Sequence, residues 1–168
     1  MLLRVLLLSL VLFGVSSASP ASEFGVNQIM KVVDRATKAG HIDTLMWILN
    51  DTMSYKMCGY IGNKETFRGY LEAQLKSLND VKFIIDYGNS YITEKDGYDY
   101  LTFKVETHSI YSDNSRVEGL ASVTAVKKKY GNFFKVSHID QSCRMTVKRH
   151  HRLYRVFTNE DLYDYRRK

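Results

Sequence analysis

The chain has 168 residues, a formal net charge of +6 and a single proline, with 45% of its residues hydrophobic and 25% charged. The basic excess is local: residues 19–143 carry 15 Lys and Arg against 15 Asp and Glu, whereas residues 144–168 carry 8 against 3. A neutral domain with a basic tail gives no ground for a nucleic-acid partner, and no repeat or low-complexity tract divides the chain.

Residues 1–18 hold one early cation, Arg4, then an apolar run from Val5 to Val15, then Ser16, Ser17 and Ala18. The run is shorter than the roughly 20 apolar residues that span a bilayer. The small residues fit a cleavage site, so the expectation is a signal peptide and a secreted or lumenal mature chain that starts near Ser19. No later stretch is long and apolar enough to make the protein membrane-spanning. About 150 residues then remain, enough for one domain that buries roughly two-thirds of its unfolded surface.

In the mature chain Val26, Ile29, Met30, Val33 and Ala36 follow the spacing of one helical stripe, and Gly40 can take the left-handed conformation that ends a helix. A second helix over Ile42 to Leu49 is apolar on several sides, which implies deep packing, Trp47 included. Thr52 to Cys58 alternates as a first strand, Gly59 and Gly62 frame a loop or short second strand, and Asn63 is placed to cap a third helix with Phe67, Tyr70, Leu71, Leu75 and Leu78 in its stripe.

From Val81 to Cys143 apolar and polar residues alternate through four segments. Val81, Phe83, Ile85 and Tyr87 share one parity, and so do Leu101, Phe103, Val105, Thr107 and Ser109, which places each set on one face of a strand. Glu94 to Gly97, Ser112 to Ser115 and Tyr130 to Asn132 supply the reversals. The sum is an α+β domain: three N-terminal helices packed on a curved, mostly antiparallel sheet.

Gly40-His41-Ile42-Asp43, Leu45, Trp47-Ile48-Leu49 and Asn50-Asp51, followed by Gly62, Phe67 and Tyr70-Leu71, resemble the nuclear transport factor 2-like superfamily of cone-shaped α+β domains, over about Glu23 to Cys143. That superfamily includes ketosteroid isomerases, polyketide cyclases, dehydratases, nuclear carriers and members without known activity, so the resemblance implies a fold and leaves function open. An export signal argues against the carrier role. No catalytic motif of the isomerases or cyclases is matched.

Candidate site residues come from parity in the last strand. Phe134, Val136, His138 and Asp140 form the more apolar of its two sets, which would turn His138 and Asp140 to the concave face, beside Trp47, Tyr55, Tyr87 and Phe103. A histidine and an acid there could serve as an acid/base pair in an isomerase or dehydratase, or could simply satisfy each other at a pocket rim. The five histidines and two cysteines lack metal-site spacing, and neither a phosphate loop nor a nucleophile elbow is present, so no metal or cofactor is expected. In the cones of the resembling family the first strand lies parallel to the last, which implies a disulfide between Cys58 and Cys143, on the outer face by their parity. Asn50-Asp51-Thr52 is the one N-glycosylation sequon.

Lys148, Arg149, Arg152 and Arg155 could hold an anionic glycan or another polyanion, although a solubilising tail explains the same residues. Three functional readings follow. The leading one is non-catalytic binding of a small apolar ligand in the cone, or of a protein partner. The second is the isomerase or dehydratase built on His138 and Asp140. The third is a homodimer through the outer sheet face with a polyanion-binding tail.

Overall fold

The computed structural model describes residues 18–147 and 155–157. Most of the expected leader, and Lys148, Arg149 and Arg152 of the tail, lie outside them. Helix α1, Pro20–Ala39, starts where Ser19 Oγ accepts a hydrogen bond from the Ser22 N–H at 3.2 Å, with Pro20 supplying a preset φ at the first helical position. It ends at Gly40, whose φ of 66° closes the helix with bonds to Ala36 and Thr37 carbonyls. Val26, Ile29 and Met30 are buried along its inner stripe.

Helix α2 is shorter than expected, Ile42–Trp47, because the chain turns into strand β1, Leu49–Met57, directly after it. Fewer than two turns can present only one side to the core, and that side carries Leu45. Trp47 is therefore 56% exposed rather than deeply packed. A short β2, Tyr60–Asn63, leads into α3, Lys64–Ser77. A reciprocal cap starts α3: the Thr66 N–H donates to Asn63 Oδ1, and the Asn63 N–H donates to Thr66 Oγ1, both at 3.1 Å.

Four long strands follow: β3 Leu78–Lys95, β4 Tyr98–Tyr111, β5 Arg116–Lys128 and β6 Lys135–Val147. Asp96 at φ 52° and Gly97 at φ 78° make the two-residue turn between β3 and β4. A short β7, Arg155–Phe157, returns antiparallel to the end of β6. The sheet order is β2-β1-β6-β5-β4-β3, and β1 beside β6 is the parallel pair. The helices cover one face, where Val26, Ile29, Ile48, Met53, Leu101, Phe103 and Ala125 form the most buried part of the core.

Two irregularities decide which residues reach that face. In β3 the pairing with β4 shifts between Asp86 and Tyr91, so the buried parity passes from Val81 to Ser90. In β6 Thr124 pairs with His138 but Ala125 pairs with Val136, leaving Ser137 as an extra residue. Such a bulge reverses the facing of everything beyond it.

Candidate functional site

A cavity of about 210 Å³ lies between the helices and the inner face of β3 to β6. Ile29 and Met30 of α1, Phe67 and Leu71 of α3, and Phe103, Val105, Val123 and Ile139 of the sheet supply apolar wall. Its polar lining is Thr37, Tyr70, Gln74, Thr107, Ser109, Tyr111 and Gln141, together with Cys58 and Cys143; among the described residues no Lys, Arg, His, Asp or Glu lines it. Burial pushes the Tyr70 phenol far above its ordinary range. It raises Tyr111 as well, partly offset by a hydrogen bond with Ser109. Both phenols are held neutral, with no tendency to act as bases near neutral pH.

The bulge at Ser137 corrects the expected site. Phe134 and Val136 are buried as parity implied, but beyond Ser137 the inward residues are Ile139, Gln141 and Cys143. His138 and Asp140 are exposed on the opposite face. His138 Nδ1 lies 2.8 Å from Ser54 Oγ, and Asp140 stands opposite Lys56 in the parallel register.

The remaining candidates scatter. Phe103 lines the cavity with no exposure at all. Tyr55 is buried beside it, 4.9 Å from the Phe67 ring centroid, with its hydroxyl donating to Thr66 Oγ1 at 3.4 Å. Tyr87 is half-buried away from the cavity and donates to Asn27 Oδ1 at 2.6 Å. Trp47 lies outside, its ring against Phe133 and beneath Lys135 Nζ at 4.2 Å, and Lys135 also donates to the Trp47 carbonyl.

Cys58 and Cys143 form the disulfide, with Cα atoms 4.9 Å apart, well within the usual range. It faces the cavity rather than the outer surface, for two reasons. Cys143 follows the bulge, and Cys58 leaves strand geometry at φ 51°. Asn50 Oδ1 accepts from the Thr52 N–H at 3.0 Å and from Thr52 Oγ1 at 2.8 Å, so the sequon forms an Asx turn in a stretch of β1 that pairs with neither neighbour. Among the described residues no cluster of three metal-ligating side chains occurs, and no helix is long and apolar enough to cross a membrane.

No family model matches the sequence, and no curated protein matches it. Solved structures do match. A candidate scytalone dehydratase from Novosphingobium aromaticivorans is similar at a TM-score of 0.60 and 13% identity, over 80% of this chain and 91% of that one. A candidate dehydratase of the NTF2-like family from Streptomyces avermitilis is similar at 0.55 and 10%, over 73% and 97%. A hexachlorocyclohexane dehydrochlorinase is similar at 0.55 and 10%, over 82% and 90%. The fold is nuclear transport factor 2-like.

Within this nuclear transport factor 2-like cone the residues that sequence reasoning missed are Gln141, Thr107 and Gly119. Gln141 is only 8% exposed, and its Nε2 donates to Thr107 Oγ1 at 2.9 Å across the backbone of β5. A glycine in the middle of β5, between apolar inward residues, is the signal that a neighbouring side chain crosses there.

Proposed function

We propose that the protein is a secreted, non-catalytic binding domain whose cone holds a small apolar molecule. The observation that carries this reading is the makeup of the cavity wall. Isomerisation and dehydration need a positioned group that takes or gives a proton near neutral pH, and among the described residues the lining holds only amides, alcohols, two neutral phenols and a disulfide besides its apolar side chains. His138 and Asp140, the acid/base candidates, project from the opposite face of β6, out of reach of a molecule in the cone. The dehydratase and dehydrochlorinase names of the structural neighbours therefore bear on the fold of this chain and not on its chemistry.

Secretion is supported by the apolar run from Val5 to Val15 and by the disulfide, which persists in an oxidising compartment. The homodimer reading has less support. Lys56, Asp140, Ser122, Lys104 and Asp86 form one cross-strand row on the outer face, so a second copy would have to cover charge as well as the exposed Ile84 and Leu120. Native mass spectrometry of protein secreted by eukaryotic cells tests the reading. An adduct of small mass that denaturation removes is the expected result, and turnover of an enone or hydroxy-ketone panel would overturn it.

A further inference from the structure

We propose that the cavity selects an uncharged ring compound with one hydroxyl group, a phenol or alicyclic alcohol, whose O–H donates to the carbonyl oxygen of Gln141. This rests on the ligand-binding reading above and names the class of ligand. An amide side chain offers two N–H donors and a carbonyl acceptor. In this buried amide Nε2 donates to Thr107 Oγ1 at 2.9 Å, and the Thr107 hydroxyl donates in turn to the Gly119 carbonyl at 3.4 Å. A hydroxyl has one proton. With that proton on Gly119, the Thr107 oxygen must accept, which fixes the amide with its nitrogen toward Thr107 and its oxygen the other way. Among the described residues no donor meets Gln141 Oε1, although the side chain is 92% buried by its 8% exposure and lines the cavity.

The two phenols in the wall are already engaged. Tyr111 donates to Gln74 Oε1 at 2.7 Å, and Tyr70 points at Cys58 Sγ at 3.9 Å. The open site at Gln141 Oε1 is an acceptor, which a ligand O–H completes and an ether or ketone oxygen does not. Charge narrows the class further. A carboxylate or ammonium would lose its hydration with no counter-ion among the described residues of the wall. Size closes it, since an apolar cavity of about 150 Å³ takes benzene and this one, at about 210 Å³, has room for a ring with a short substituent.

The test is calorimetric titration of the intact, disulfide-bonded protein with 4-ethylphenol, its isomer 4-methylanisole, ethylbenzene and 4-ethylbenzoate at pH 7. The phenol should bind roughly tenfold tighter than the anisole or ethylbenzene, the effect of one well-made hydrogen bond, and the benzoate should not bind. Gln141→Leu should erase the advantage of the phenol while retaining ethylbenzene. Thr107→Val, which frees the amide to rotate, should improve the anisole. Ethylbenzene binding as well as or better than the phenol in the unaltered protein would overturn the Gln141 anchor and leave the binding reading intact. Failure of all four probes to bind would overturn both.

Discussion

Gly119 and Gln141 need the same space. The amide of Gln141 lies where a Cβ on Gly119 would be, and that Cβ would also fall 2.7 Å from Thr107 Oγ1. Neither neighbour can give way without losing the bond between them. Gly119→Ala should therefore cost about 1–3 kcal/mol, the range for overpacking a filled site, and should expel the Gln141 side chain from the wall. Urea denaturation measures the first effect and the ligand ranking above measures the second. An alanine variant of unchanged stability would show that the crossing is not a close one.

The disulfide joins residues 85 apart in sequence. In the chain-entropy model a loop of that length stabilises the fold by roughly 4.5 kcal/mol, a figure that native strain reduces. Replacing both cysteines with alanine should lower the urea midpoint accordingly. It should also widen the cavity, because both cysteines are part of its wall. Non-reducing peptide mapping that finds free thiols at Cys58 and Cys143 would refute the bridge.

His138→Ala removes a hydrogen bond to Ser54 on an exposed face. The loss should stay below about 1 kcal/mol, as for other solvated contacts, and ligand affinity should not change. A drop in affinity of tenfold or more would mean that His138 reaches the cavity after all.

The buried phenols make stability depend on alkaline pH. Tyr70 and Tyr111 have folded pKa values raised above 10.0 by burial, so the folded state keeps their protons when the unfolded state has released them. Their contribution is fully present below about pH 10 and falls as pH rises further. Unfolding midpoints should be flat with respect to these groups from pH 7 to 9 and decline above pH 10. Tyr70→Phe should reduce that decline. An equal slope in the variant would assign the alkaline loss to other groups.

A basic tail can be tested only by substitution. Truncation at Arg144 would also remove the end of β6 and its partner β7. Changing Lys148, Arg149, Arg152 and Arg155 together to serine in the full chain should lower the salt at which the protein leaves a heparin column. Elution at the same salt would dismiss the polyanion contact.

The elements were largely legible because each carries its own local chemistry. The Val26 to Ala36 stripe, the Asn63 cap, Gly40 and the Asp96-Gly97 turn all act through residues within one or two turns of themselves. The disulfide partners were legible through the parallel placement of β1 and β6 that the family resemblance implied. The site was not legible, because alternation assumes an unbroken period. One extra residue at Ser137 exchanged His138 and Asp140 for Ile139 and Gln141, and a left-handed Cys58 moved the disulfide inward. Neither signal is local, since each arises from how one strand meets its neighbours.

The bulge also means that the residues of β6 alone do not decide what the cavity wall presents. If β6 kept Ser137 in its ladder instead of bulging there, alternation from Phe134 would run unbroken, and His138 and Asp140 would continue its inward series while Gln141 turned to solvent. The wall, whose described residues include no imidazole or carboxylate, would acquire both from the same residues in a different register. On this scaffold the register of β6 decides whether a histidine and an acid face the cavity, so relatives of this chain are better sorted by whether β6 bulges after Val136 than by whether they possess a histidine and an acid.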